Sequence, residues 1–144
     1  MLFAIEKCAE SLGAGYNGYL PDSAFNASAS TPNYGPTNGR LNAPSTAWIP
    51  LNYQPESPGL DYLQVDLQRM KTVTYVSVQG MQGKLFVRSF SLMLSVDGQA
   101  FDPFYSGQSK KVFFLWRIFY VKTVTISCLT KGFSRFKNFI FEIL

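Results

Sequence analysis

The 144-residue chain contains no histidine, two cysteines, and charged side chains at 15% of its positions. Without histidine it lacks the commonest general base and the usual imidazole metal ligand, and Ser-His and Cys-His nucleophile pairs are excluded. Its nine acidic residues are scattered, so no close carboxylate pair suggests a glycosidase. The sequence therefore predicts a protein that is not an enzyme and that needs neither a cofactor nor a metal ion.

The two cysteines, Cys8 and Cys128, are too few for a zinc site built from cysteines, and they can form at most one disulfide. Residues 1–7 (MLFAIEK) lack the basic start and the apolar stretch of a signal peptide. Two interpretations remain open, namely that the chain is a fragment or that it is not secreted by that route.

The net charge of +4 is unevenly placed along the chain. Residues 1–109 hold six basic and eight acidic side chains, whereas residues 110–144 hold seven basic and one acidic. Binding of nucleic acid phosphates needs basic residues gathered on one face of a fold. A basic tail on a near-neutral body does not predict such a face, so nucleic acid is not an expected partner.

Residue patterns predict a single all-β domain. Residues 11–60 are rich in Gly, Pro, Ser and Asn, which indicates turn-dense β structure. Strand-like runs follow, and the first places Leu63, Val65 and Leu67 on one side, as in a half-buried strand. Asp97-Gly98 is a hairpin-type turn signal. The predicted strands, which together favour a sandwich or barrel, are residues 62–67, 73–78 and 89–94.

The tail differs in composition from the body. All eight prolines and ten of the eleven glycines precede residue 112. Residues 112–121 (VFFLWRIFYV) form a ten-residue apolar run with one charge inside it, well short of the roughly 20 residues of a membrane-spanning helix. This run is predicted to be a buried strand.

Seven pieces of sequence, in order between residues 8 and 106, together resemble the discoidin domain, also called the coagulation factor 5/8 type C domain, a galactose-binding-like fold. The pieces are residues 8–13 (CAESLG), 20–28 (LPDSAFNAS), 34–42 (YGPTNGRLN), 47–48 (AW), 62–67 (YLQVDL), 78–80 (VQG), and 87–90 (VRSF) through 95–98 (SVDG).

The resemblance implies a jelly-roll β-sandwich with three protruding ligand-binding loops at one end. It predicts one discoidin-type domain over residues 8–144, preceded by a short extension at residues 1–7. Residues 112–144 depart from the family pattern, which ends in a cysteine that bonds the first one. This atypical tail is a native tail, a truncation or a misread part of the gene. Cys8 is the counterpart of the first cysteine, and Cys128 is its one available partner in the chain.

Carried onto this chain, the three loops are residues 30–38, 81–84 and about 107–111. Loops on a rigid sheet commonly place binding residues. Four further residues are predicted to be structural, with Trp48 in the core. The predicted ligand residues are Asn33, Tyr34, Asn38, Met81, Gln82, Lys84, Arg88 and Lys110, and the structural ones are Cys8, Arg40, Trp48 and Asp66.

Asn26-Ala27-Ser28 fits the acceptor sequence for N-linked glycosylation. The same residues coincide with the family's strand-opening Ala-Ser motif, so the sequence leaves both interpretations open.

Three functions remain in competition. The first is an extracellular or cell-surface adhesion module that recognises a glycan or a protein partner, which the polar first loop favours. The second is peripheral binding to anionic phospholipid membranes, for which Met81, Leu85, Lys84, Lys110 and Lys111 supply apolar and basic side chains. The third is a truncated, inactive product whose tail prevents closure of the sandwich.

Overall fold

The structure, a computed structural model, describes residues 12–51, 61–73, 75–81, 87–114, 125–127 and 135–143. Within these ranges lie ten strands and two short 3-10 helices, Asp22–Ala24 and Pro36–Gly39. The strands are β1 Phe25–Ala27, β2 Tyr62–Thr72, β3 Tyr75–Ser77, β4 Ser89–Ser95, β5 Asp102–Pro103, β6 Tyr105–Ser106, β7 Ser109–Lys110, β8 Val112–Phe114, β9 Thr125–Ser127 and β10 Arg135–Ile143.

Most of these strands form one antiparallel sheet. Its order is β1-β2-β10-β4-β5, and β8 also pairs with β4. Two smaller sheets join β3 to β9 and β6 to β7. Among the described residues strands dominate and helix is scarce, which confirms the predicted all-β jelly-roll class.

The core lies on one face of β2 and β4. Leu63, Val65 and Leu67 of β2 are buried, and the intervening Gln64 and Asp66 are half-buried, so the predicted period-two alternation is confirmed. Apolar side chains from the N-terminal segment, β1, β4 and the residues around β3 complete the core. The buried cluster also contains Leu12, Ala14, Leu20, Ala24, Phe25, Phe90 and Leu92, with Trp48, Val73, Val76 and Val78 packed against it.

β2 continues beyond the predicted end at residue 67 through a bulge. Asp66 pairs with Asn138 of β10, and Lys71 pairs with Phe136, so β2 has more residues than β10 over the same span. Gln68 lies in this excess with φ of 66°, and its backbone N–H donates to Asp66 Oδ1 at 2.7 Å. The Asp66 carboxylate therefore stabilises the bulge.

The predicted turn at Asp97-Gly98 is confirmed, and it joins β4 to β5. Asp97 Oδ1 accepts hydrogen bonds from the backbone N–H groups of Gln99 and Ala100, at 2.8 and 3.0 Å, and from the Ser95 hydroxyl. These three donors lower the pKa of Asp97, with the Gln99 N–H the largest cause. The loop spans residues 96–101 between the strands, which is longer than a two-residue hairpin turn.

The tail supplies the middle strand of the described sheet order, β10. β10 pairs with β2 over residues 62–72 and with β4 over residues 90–95. The apolar run predicted to be a strand begins as β8, which pairs with β4 from Ser89 to Ser91, and its residues 115–121 lie outside the described residues. The predicted domain bounds, including residues 1–7, stay a prediction.

Replacing Gly98 with alanine should destabilise the domain by two separate effects. Gly98 has φ of +81°, where an alanine costs about 1–2 kcal/mol. A Cβ there would also lie 2.8 Å from Nδ2 of Asn138, a side chain only 2% exposed, and this overpacking adds about 1–3 kcal/mol. The free energy of unfolding in urea measures the sum of the backbone and packing effects.

Gly107→Ala is the matched control. Gly107 has φ of +70°, but a Cβ would meet nothing within 4 Å, so only the backbone cost applies. Equal destabilisation by the two substitutions would show that packing of the turn on Asn138 contributes nothing.

Candidate ligand-binding loops

The first predicted loop meets the large sheet where β2 and β4 begin. The backbone N–H of Ser28 donates to Tyr62 O at 3.0 Å, and the Tyr62 N–H donates to Ser28 Oγ at 3.1 Å, so the first loop leaves β1 beside the start of β2. Tyr62 pairs with Glu142 of β10, and Glu142 pairs with Ser91 near the start of β4. The first loop therefore lies at the end of the sheet where β2 and β4 begin and β10 ends, which we call the loop end.

A hairpin forms the third predicted loop. β5 and β8 pair with successive parts of β4, and the β6-β7 hairpin projects between them. A bond of 2.8 Å from the Lys111 N–H to Phe104 O closes its base, and a second bond of 2.8 Å from the Phe104 N–H to Leu92 O joins it to β4. Gly107 is the first of the two turn residues and has φ of +70°, which is typical of a type II′ turn.

The first loop is built around a four-residue turn. The Tyr34 N–H donates to Thr31 O at 3.0 Å, and Asn33 has φ of 69°, the pattern of a type II turn with Pro32 before the left-handed residue. Ile49 fixes the turn from the other side of the loop, since the Thr31 N–H donates to its carbonyl and its N–H donates to Tyr34 O. Pro32 and Asn33 are exposed and Tyr34 is half-buried, so the apex is polar.

Two other side chains hold the first loop from within. Asn38 Nδ2 donates to Asn33 O at 2.9 Å, so this predicted ligand residue uses its amide nitrogen to support the turn. Trp48 is half-buried rather than fully buried. Its indole N–H donates to Ala29 O and Ser30 Oγ, at 3.2 and 3.0 Å, which is why the ring lies at the rim of the core.

Arg40 fastens the end of this loop to the N-terminal segment. Nη2 donates to Leu20 O at 2.7 Å and to Asp22 Oδ1 at 2.8 Å, and Nη1 donates to Gly15 O at 3.4 Å. The guanidinium carbon lies 4.3 Å from the centroid of the Phe25 ring, a cation–π contact. Arg40 is buried, and these contacts join the end of the loop to the N-terminal segment.

Arg40→Lys should destabilise the domain by about 1–3 kcal/mol, because a lysine cannot reproduce the forked guanidinium and leaves backbone carbonyls without a donor. Asp22→Asn is the control. The Asp22 side chain is 79% exposed, so losing its charge should cost less than about 1 kcal/mol. Thermal and urea unfolding compare the stabilities of the two variants with that of the unaltered domain. Equal losses of unfolding free energy would show that the bonds from Arg40 to the backbone carbonyls contribute nothing.

The second loop is only partly described, and one of its residues departs from expectation. Met81 is buried, with 8% of its surface exposed, so it is not a loop-tip side chain that meets a ligand. An apolar side chain next to the core gains more from burial than from exposure to water. Arg88 is exposed. The other predicted residues Gln82, Lys84 and Leu85, like Cys8 and Cys128, lie outside the described residues.

The third loop carries an ion pair with the tail. Lys110 Nζ lies 2.5 Å from Glu142 Oε2, which also accepts a hydrogen bond of 2.6 Å from the Ser91 hydroxyl. Lys110 was predicted to contact a ligand, and here its ammonium group binds the sheet. The pair therefore fixes the hairpin against β4 and β10.

Within the described ranges, no group of three or more His, Cys, Asp or Glu residues could hold a metal ion. No helix among those residues has the length and apolar character needed to cross a membrane.

Comparison with known sequences identifies the family. The model of the F5/8 type C domain matches residues 24–132, more than half of the chain. The chain belongs to the F5/8 type C, or discoidin, family. Neuropilin-2 from rat, mouse and human is 35% identical to it over 106 residues, which cover 66% of this chain. The chain spans 11% of the length of these relatives.

Family membership confirms the resemblance seen in the sequence. Discoidin domains are binding modules without enzymatic activity, and they are extracellular or at the cell surface. The matched residues include the first loop and the β6-β7 hairpin. β10 follows the matched residues, although it lies in the interior of the sheet.

Sequence reasoning missed three side chains at the loop end of this discoidin domain. Glu142 binds Lys110, and the Ser91 hydroxyl donates to Glu142. Neither residue carries a local signal, because Glu142 and Ser91 meet only through strand pairing. Tyr105 is 54% exposed on the hairpin. The sequence does carry a signal for the position of Tyr105. A two-residue hairpin turn that starts at Gly107 places Tyr105 opposite Lys110.

The pKa of Glu142 lies below its ordinary value of 4.5. Burial alone would raise it, but hydrogen bonds from Lys110 and Ser91 and the charge of Lys110 together lower it. Because the folded pKa is depressed, the carboxylate stabilises the fold fully above the unfolded pKa, and this stabilisation is lost as the pH falls through the folded value.

Glu142→Gln should therefore reduce the stability of this discoidin domain at neutral pH and have a smaller effect as the pH falls below 4.5. The measurement is the free energy of unfolding in urea across that range at low salt. Asp97→Asn is the comparison, since the pKa of Asp97 is also lowered but without Lys110. If the unfolding free energy of Glu142→Gln depended on pH in the same way as that of the unaltered domain, the ion pair assigned to Glu142 and Lys110 would be contradicted.

Proposed function

We propose that this domain binds a glycan or a cell-surface or matrix protein through loops at one end of the sandwich, with the first loop as the main contact, as an adhesion module outside the cell. The supporting observation is the apex of the first loop, where Pro32 and Asn33 are exposed on a turn fixed by backbone hydrogen bonds. A preformed polar apex binds a polar ligand with little loss of loop entropy.

Asn33 is the central contact in this proposal. Its carbonyl is occupied by Asn38, and its exposed side-chain amide offers both a donor and an acceptor. Tyr34, half-buried beside it, adds an aromatic edge against which a sugar or an apolar side chain packs. Arg88 is exposed where β4 begins, and with Gln82 and Lys84 it completes the proposed contacts from the second loop.

Anionic phospholipid membranes are the second candidate. The exposed aromatic Tyr105 and the exposed Lys110 and Lys111 share the hairpin region, which suits insertion at a lipid headgroup layer. Burial of Met81 and pairing of Lys110 with Glu142 weaken this candidate. We therefore place it second.

The inert-product alternative finds less support. A tail that prevented closure of the sandwich would not be expected to contribute β10 between β2 and β4. Its nine residues, Arg135–Ile143, pair on both sides with strands from the matched region of the domain.

Asn33→Gly tests the proposal, because glycine keeps the positive φ of the turn while removing the amide. Screening against a glycan array and a panel of surface and matrix proteins should identify a ligand, and Asn33→Gly should weaken its binding by about tenfold, as expected for loss of about one hydrogen bond. Asn42→Gly is the matched control.

Asn42 is also exposed and has φ of 62°, but it follows the loop and lies by Gln79. Its substitution should leave affinity unchanged. The proposal fails if no glycan or protein binds, or if Asn33→Gly and Asn42→Gly bind alike. Binding confined to vesicles containing phosphatidylserine, and weakened by salt, would replace it with the membrane function.

A further inference from the structure

We propose that Asn26 carries an N-linked glycan. This inference rests on the extracellular location in the proposed function, since the modification is made in the secretory pathway. Asn26-Ala27-Ser28 is the only Asn-x-Ser/Thr triplet in the 144 residues with a residue other than proline in the middle. The fold places this triplet on strand β1 and at the start of the first loop.

The fold leaves Asn26 accessible. In β1 the neighbours Phe25 and Ala27 are buried and half-buried, and they face the core, whereas Asn26 is exposed. Asn26 pairs with Gln64 of β2, so its side chain projects from the outer face of the sheet. β1 also lies at the end of the described order of strands. A glycan attached there extends away from the core and requires no rearrangement of the sheet.

The strand itself does not require asparagine at this position. Burial accounts for Phe25, and contact with the core accounts for Ala27. Ser28 closes the β1-β2 ladder through Tyr62. Asparagine is disfavoured in strands relative to β-branched residues, and an exposed outer position would accept many polar residues. Contacts within the fold therefore explain why alanine and serine stand at positions 27 and 28. An acceptor role in glycosylation explains the asparagine at position 26, which those contacts do not require.

The hydrogen bonds of Ser28 indicate when the glycan is added. Ser28 Oγ accepts from the Tyr62 N–H and donates to Asp61 Oδ1, at 3.1 and 3.3 Å, so the folded domain already occupies the hydroxyl that a transferase recognises. Tyr62 follows Asn26 by 36 residues. The triplet is thus open to the enzyme until β2 has emerged and paired.

The reaction balances with a lipid-linked diphosphate oligosaccharide as the donor. Nδ2 of Asn26 forms a bond to the anomeric carbon of the first sugar, the bond from that carbon to the diphosphate oxygen breaks, and the amide loses one proton. In the folded structure Asn26 Oδ1 accepts from the Ala27 N–H at 2.9 Å. That bond involves the oxygen and leaves the nitrogen as the sugar-bearing atom.

The test expresses the full chain behind a cleavable secretion leader in mammalian cells and measures its intact mass before and after peptide N-glycosidase treatment. The expected result is loss of one glycan with conversion of Asn26 to aspartate. Asn26→Gln and Ser28→Ala should both abolish the mass loss, and Ser28→Thr, which keeps the acceptor sequence, should retain it.

Mass is read from the chain in the lumen of the endoplasmic reticulum as well as from the medium, so a variant that misfolds still reports on modification. A lumenal chain with unmodified mass overturns the inference even if the chain binds a ligand. A glycosylated chain that binds no glycan or protein instead leaves this inference standing and removes the proposed function.

Discussion

Backbone pairing of β10 with β2 on one side and with β4 on the other is the constraint on which the large sheet depends. β10 begins at residue 135, after the last residue matched by the family, and its partners begin at residues 62 and 89. Asn138 of β10 lies beneath the turn at Gly98, and Glu142 holds Lys110. Turn and hairpin therefore both rely on side chains that this one strand supplies.

Rigidity of the first loop follows from contacts made away from its apex. Arg40 ties its base to Leu20 and Asp22, and Trp48 donates to Ala29 and Ser30 near its start. Because polar groups at the loop's base are paired internally, the apex is ordered before a ligand arrives. Loop order of this kind reduces the entropic cost of binding, as expected of a domain that acts by recognition rather than by chemistry.

The fold reduces the local positive charge at the loop end, because Lys110 is paired with Glu142. Lys110 is one of the seven basic residues after position 109, yet Glu142, the single acidic residue after that position, lies against it. Placing the carboxylate between Lys110 and the Ser91 hydroxyl offsets the loss of hydration that accompanies its partial burial. The outcome is a hairpin held to the sheet with a smaller local positive charge, which suits a polar ligand better than a membrane surface. The glycan inferred at Asn26 lies on the outer face of β1, beside the first loop.

The sequence by itself determined the all-β class, the family, the core face of β2 and the turn at Asp97-Gly98, because alternation and turn chemistry act between near neighbours. It also located the first loop, whose Pro32-Asn33 turn is a local property. Only the tertiary structure placed β10 inside the sheet, buried Met81, gave Asn38 a supporting role and paired Lys110 with Glu142. Those outcomes depend on hydrogen bonds and packing between residues far apart in the chain, and no local pattern specifies which distant strands become neighbours.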